Sequence, residues 1–543
     1  MENKKKYFSK FFLLALVILF ILLCIPNLIS HLILDDAYIF LRYVRNFTTG
    51  HGIVWNIGEK PVEGFSSFLY FILLSIISFI SHAQLENVIQ ILGVLFGIGS
   101  LIVTYLISKK LFKNYFTKFL PITLLTFSPF LVIWSTIGMD SILYLFLFLL
   151  CFYFYIRYRE NRKFIYIFSI SCVFLALSRS EAMVFILVTF IFELLIRMKE
   201  KKKVFDKGLL ISGSLFIVLY GTYFVWRWIY FGHLFSNTYY AKTGGNLYQI
   251  FGGLDNFWQS FKTLFVGTSA VILIPLIFLF ITKKRSWVIY YFSLLILVIS
   301  ASNILVGGDV FGVRFYLPVW GLLLILSSLA LDQFINSKSI KSYQTALIIT
   351  TIFISALFAW YKNDYYQEDK RLYRNIPYYL ANRDSYPSVE DTNSESYYDS
   401  KTTFRAMASV LNSDLEPGSS IALVAVGTIG YYSDFTIYDM VGKVDEHIAH
   451  EPFNEKYIES WRPGHDKGDG KYILGKKPDY ILLYSILSRE PVEEITVDSF
   501  DYQYKSVVEI WNSPEFHKDY EFEPIQLESG WYINLWKRKA LSG

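Results

Sequence analysis

KKKYFSKFFLLALVILFILLCIPNLISHLILDD, residues 4–36, sets a lysine cluster, an uninterrupted apolar run and an acidic pair in that order. The run at 11–25 is long for the core of a signal peptide. Pro26 to Ser30 offers no small-x-small cleavage site, so the segment reads as an uncleaved anchor. A bilayer crossing takes about 20 apolar residues, and the acidic pair follows where the run ends.

Working outward, similar runs recur as far as Tyr361 and then stop. Of the 543 residues, 54% are hydrophobic and 19% aromatic, and the mean hydropathy is +0.38. A soluble chain sits nearer 45–50% apolar. The spacing predicts eleven membrane helices, near 11–30, 88–108, 117–134, 141–157, 164–178, 182–197, 208–228, 265–281, 286–304, 315–335 and 343–361. The run at 66–82 is apolar but rich in serine, and is expected to lie in the interface rather than cross it.

The net charge of +5 matters only through its distribution. With the N-terminus inside and 66–82 not crossing, the inner loops hold 23 Lys and Arg in 48 residues. The outer loops hold 7 in 112. Cytoplasmic loops carry the basic excess, so the fold class expected is a polytopic α-helical membrane protein, N-in and C-out. Its transmembrane domain covers 1–361, with a first external loop at 31–87. A linker follows at 362–400, and an external α/β domain at 401–543. In that tail a helix is expected at 402–412 and strands at 421–426, 436–438, 480–484 and 532–536. Cys24, Cys151 and Cys172 all fall in apolar runs, which leaves the tail without disulfides, and no Cys/His cluster has zinc spacing.

The outer loops are poor in length and rich in charge. Two adjacent carboxylates repel, which raises the pKa of one, and a raised pKa suits a base that takes a hydroxyl proton. That reading of Asp35 and Asp36 competes with a plain one, in which they mark the water boundary and cap a short helix. If the segment is helical, Arg42 shares their face. Asp140 lies between helices, Arg179 and Glu181 lie between two apolar runs, and Asp309 precedes Arg314. Charges at such depth face a cavity or a partner, and an Arg179–Asp140 ion pair is the plain alternative. The loop 237–245, NTYYAKTGG, joins Asn237, Tyr239, Tyr240 and Lys242 to a Gly-Gly end that can aim backbone N–H groups at a phosphate. It is not a Walker sequence. The Gly93-x-x-x-Gly97 spacing is a helix-packing feature.

DDAYIFLRYVRN (35–46), GHGIVWN (50–56) and VEGFSS (62–67) together resemble the GT-C glycosyltransferases that use polyprenyl-phosphate sugars. The likeness is nearest to the mycobacterial terminal arabinofuranosyltransferase-like branch. WSTIGMD (134–140), SRSE (178–181), NTYYAK (237–242) and GGDVFGVRF (307–315) extend it. So do GTIGYYSD (427–434), DMVGKVD (439–445) and PGHDKGDG (463–470), so that it runs from about residue 31 to 485. The family's usual Gly-Leu-Glu is here Gly-Met-Asp140, and its Arg-Pro-Glu is Arg179-Ser-Glu181.

The resemblance implies a membrane glycosyltransferase whose catalytic centre is the acidic motif of the first external loop, with Asp35 or Asp36 as base and a lean toward Asp35. It implies Lys242 as a donor-phosphate contact. Arg42, His51, Asn56, Glu63, Asp140, Arg179, Glu181, Asn237, Tyr239, Tyr240, Asp309 and Arg314 are the remaining donor or substrate candidates. In the tail, Asp439, Asp445, His465 and Lys467 are acceptor candidates. The implied partners are a polyprenyl-phosphate sugar, a glycan, lipid or protein acceptor and membrane lipid, with no nucleic acid. A divalent metal bridging carboxylate and phosphate is left open, without a recognisable ligand set. Heavy use of Lys, Ile and Phe points to a bacterial cytoplasmic membrane. Two other classes compete: a transporter or flippase, which calls for polar groups at mid-membrane, and a non-catalytic cell-envelope or motility factor.

Overall fold

A backbone in hydrocarbon must pair its own N–H and C=O groups, so apolar runs of this length become helices. The computed structural model describes residues 2–81, 83–268, 276–277, 286–337, 344–345, 348–352, 354–355, 400–453, 462–485, 487–496, 499–528 and 530–539. Six of its helices are long and apolar enough to cross a membrane: Tyr7–Ile29, Leu85–Leu111, Ser141–Glu160, Lys207–Phe231, Trp287–Leu305 and Gly312–Asn336. They make the chain a membrane protein. The Gly312–Asn336 helix is 94% buried over its most apolar stretch and forms the centre of the bundle. Lys207–Phe231 is 6% buried and lies on its outside.

The expected helix at 117–134 is broken. Thr117–Thr126 and Pro129–Thr136 meet at 50°, because Pro129 has no N–H to continue the first helix and instead starts the second. The expected spans at 164–178 and 182–197 appear as Ile165–Ser178 and Ala182–Lys199, of 14 and 18 residues. The first is about 21 Å long at 1.5 Å per residue, short of a hydrocarbon core of about 30 Å. Most of 265–281, 343–361 and 362–400 lies outside the described residues. The run at 66–82 forms a 13-residue helix, Phe68–Ile80, too short to cross. Gly93 brings Leu85–Leu111 against Pro129–Thr136 so closely that a Cβ there would stand 2.2 Å from the Ser135 carbonyl oxygen.

The first loop opens with a helix, Asp35–Thr48, whose residues from Ala37 to Val44 are all buried. The helix Phe68–Ile80 packs on it from one side, and Val426–Tyr432 of the tail packs on it from another. The tail holds a five-stranded sheet in the order β2-β1-β3-β5-β4, where β1 is Ser420–Leu423, β2 Thr436–Asp439, β3 Tyr480–Ile481, β4 Tyr520–Phe522 and β5 Trp536–Arg538. β1 runs parallel to β2 and β3, and β5 runs antiparallel to β3 and β4. The short helices Val426–Tyr432, Gly470–Gly475 and Lys505–Trp511 accompany it. The expected strands at 421–426 and 480–484 shorten to Ser420–Leu423 and Tyr480–Ile481, that at 436–438 extends to Asp439, and that at 532–536 splits into Tyr532–Ile533 and Trp536–Arg538. The expected helix at 402–412 runs over Ser400–Asp414.

Candidate functional site

Asp35 and Asp36 occupy the first turn of their helix. Its N-cap is Leu34, which supplies no side-chain acceptor, and carboxylates are favoured at the positive end of the helix dipole. Being adjacent, they point different ways. Asp35 turns to the tail and accepts from Gly427 N at 3.0 Å, Thr428 N at 2.7 Å and Thr428 Oγ1 at 2.7 Å. It thereby anchors Val426–Tyr432, and a Cβ on Gly427 would lie 1.9 Å from the Asp35 carbonyl oxygen. Asp36 accepts from Lys443 Nζ at 2.9 Å and faces a cavity of about 260 Å³.

Seven charged side chains line that cavity: Asp36, Asp140, Glu181, Arg179, Lys242, Arg314 and Lys443. Arg179 reaches Asp140 at 3.0 Å and Glu181 at 2.9 Å. Behind the wall, Asp309 takes Lys242 at 3.2 Å and Arg314 at 2.5 Å. The Phe315 ring carries three cations at once, Arg179 at 5.0 Å, Lys242 at 5.0 Å and Arg314 at 5.3 Å, and so holds them together without neutralising them. Four cations and three carboxylates line the cavity, and Asp309 behind the wall is a fourth carboxylate, bound to two of the cations. Tyr239 is half-exposed at the rim.

The electrostatics separate the two aspartates. Burial raises the Asp35 pKa, against the hydrogen bonds from Thr428. Burial pushes Asp36 the same way, but Lys443 and Arg314 outweigh it and hold Asp36 below the ordinary range. One of the adjacent pair is raised, as expected, but it is Asp35, chiefly through burial, and Asp36, which faces the cavity, is the more acidic. Burial also lowers the Lys242 ammonium despite Asp309, and lowers His465 to about 3, with Lys443 adding to the effect.

Several expected site residues stand elsewhere. Arg42 is buried and donates to Trp55 O, Gly430 O, Phe435 O and Asn56 Oδ1, fastening the tail instead of meeting a phosphate. Asn56 accepts from Ile437 N in the same joint. Glu63 is paired with Arg227 in a buried ion pair. His51 is exposed and does not line the cavity. Asn237 donates to the carbonyls of Gly442, Lys443 and Asp445, and Tyr240 stacks against His450 at 4.2 Å. In the tail, Asp439 accepts from Val441 N and Val444 N, and Asp445 caps the helix Glu446–His450. Lys467 donates to Tyr240 O and Ala449 O. His465 is buried, and its Nδ1 has no partner among the described residues.

Lys443 and Phe315 were missed as site residues. Both lie inside the familial motifs, but only the fold brings Lys443 to Asp36, 407 residues away. The carboxylates of the cavity lean on its cations, and no three of them bring donor atoms together. Asp36, Asp140 and Glu181 therefore do not form a metal-ligand set.

Residues 392–532 match the model of a domain of unknown function (DUF8728). No curated protein matches the chain. Among solved structures the chain is similar to the oligosaccharyltransferase of Archaeoglobus fulgidus in its apo form. The identity is 13% and the TM-score 0.49, over 99% of this chain and 75% of that one. The same organism's AglB, in complex with an inhibitory peptide and a dolichol-phosphate, gives 13% and 0.47 over 97% and 74%. Its form tethered to an acceptor peptide gives 13% and 0.45 over the same shares.

Proposed function

We propose that this chain is an integral-membrane glycosyltransferase of the GT-C type that moves a sugar from a polyprenyl phosphate to an acceptor on the outer face of the membrane. The observation that carries this reading is the cavity where Asp36 meets Lys443, Arg314, Lys242 and Arg179 beside the membrane helices. A donor whose tail stays in lipid offers an anion and a sugar at that level. In this reading Lys242 and Arg314 hold the phosphate. The bond between the anomeric carbon and the phosphate oxygen breaks, the acceptor oxygen bonds to that carbon, and the polyprenyl phosphate leaves with the electron pair. The cations offset its charge.

Asp36 takes the acceptor proton. A bound phosphate competes for the cations that hold Asp36 ionised, so its proton affinity rises when the donor is in place. Asp35 is assigned the docking of the tail. In this reading the N-terminus is inside and the cavity and tail lie outside, in keeping with the basic inner loops. The familial motifs suggest a pentofuranose such as arabinofuranose, and a glycan, lipid or protein as acceptor.

The test is sugar transfer from a synthetic polyprenyl-phosphate sugar in proteoliposomes. Wild-type chain transfers it, and Asp36→Asn, inserted at equal level, does not. Full activity of Asp36→Asn defeats this mechanism.

A further inference from the structure

A larger cavity, of about 610 Å³, lies between the first loop and the tail. His447 and Glu451 line its wall. His447 Nε2 stands 2.9 Å from Asp469 Oδ2 and 3.4 Å from Glu451 Oε1. The three donor atoms lie within 4.8 Å of one another, and this is the one such group of His, Cys, Asp and Glu among the described residues. We propose that His447, Glu451 and Asp469 form a binding site for a divalent transition ion of the zinc type, in the tail and apart from the Asp36 cavity.

The geometry argues for an ion rather than a loose ion pair. A tetrahedral zinc with bonds of about 2.0–2.1 Å has donor–donor edges of about 3.3 Å, and the two His447 distances fall either side of that. Each ligand is held by something other than its neighbours in the group. Asp469 commits Oδ1 to Tyr472 N, which fixes the carboxylate and leaves Oδ2 directed at His447. The imidazole is stacked on the Tyr472 ring at 4.0 Å and 21°. Glu451 N is bonded to Ile448 O, which fixes the backbone that carries the carboxylate.

The other imidazoles nearby are otherwise engaged. His233 meets Glu446 and His450 meets the Glu446 carbonyl, so neither competes for the place. One nitrogen and two carboxylate oxygens suit zinc or manganese better than calcium, which takes six to eight oxygens. The remaining position opens on the cavity, where a water or a ligand of the groove completes the shell. This site stands whether or not the chain transfers a sugar.

The experiment uses the full chain in detergent, stripped with a chelator and reloaded with zinc, with bound metal counted by elemental analysis and affinity measured by competition with a chelating dye. One zinc per chain is expected. Loss of an outer partner of a metal ligand costs about 10–100-fold in affinity, so His447→Ala and Asp469→Asn are each expected to weaken binding at least about tenfold. Asp469→Asn keeps the oxygen that caps Tyr472. Both variants should melt with the wild type in chelator, which separates lost binding from lost fold. Asp36→Asn should keep its zinc. No zinc on wild type, equal affinity in His447→Ala, or loss of zinc in Asp36→Asn with retention in His447→Ala would each overturn the proposal.

Discussion

The cavity beside Asp36 and the larger groove share a partition, the segment 442–445, and they differ in charge: cations are matched by carboxylates in the first and outnumbered in the second. Lys443 on one side belongs to a lining of four cations and three carboxylates. Val444 and Asp445 on the other belong to a lining that holds Glu59, Asp439, Asp445, Glu446 and Glu451 against Lys60 and Lys476. Asn237 grips the partition by three carbonyls. One segment of the tail thus finishes two unlike sites. In the proposed reading the cavity beside the membrane helices takes the lipid-borne anion, and the acidic groove takes a neutral, hydroxyl-rich or cationic acceptor.

The comparison breaks most sharply at Asp36. Asp36→Asn is expected to lower transfer by about 10²–10³, the cost of removing one group that acts on the reacting centre, measured as radiolabelled product in proteoliposomes. If the groove and not the cavity holds the chemistry, this variant will turn over normally. Next comes the joint that creates both sites. Arg42→Ala strips four hydrogen bonds from one buried cation. It should destabilise tail docking by about 3–5 kcal/mol, seen as a lower melting temperature and as faster proteolysis of the tail.

A smaller effect sharpens the electrostatic half of the comparison. Lys443→Met removes the cation nearest Asp36 and leaves Arg314. The Asp36 pKa is held low by these cations, so the variant needs a higher pH to keep the carboxylate ionised. The acid limb of its rate profile should move to higher pH, while the groove is untouched. The smallest effect belongs to Asp466, whose pKa burial raises from 3.8 to about 7. A raised folded pKa favours the protonated form, so this contribution to stability is present below about pH 4 and lost as pH rises through about 7. Asp466→Asn should flatten the fall of melting temperature across that window.

The helices were legible because an apolar run suffices to name one. The break at Ser128–Pro129 was not, since the run continues through it and a proline inside an apolar run does not by itself say how far the axis turns. The charges of the outer loops were legible as a set, and Asp36, Asp140, Arg179, Glu181, Lys242 and Arg314 do line one cavity. The Arg179–Asp140 pair, 39 residues apart, was legible as well. The pairing of Lys242 with Asp309, across 67 residues, was not. Nothing in the sequence distinguishes Asp35 from Asp36, because what tells them apart is a backbone turn 393 residues away. His447, Glu451 and Asp469 carry no recognised metal spacing and meet only through the tail's own fold.

The bond from Gly427 and Thr428 to Asp35 also orders events in time. A ribosome makes Asp35 and Asp36 near the start of its work and Lys443 near the end. Until the late segment arrives, the early acidic pair has neither its anchor nor its counter-ion, and the basin between the helices has no roof. A half-made chain therefore carries Asp36 without the enclosure that completes its cavity. The cavity exists only once the last fifth of the chain has been made and docked.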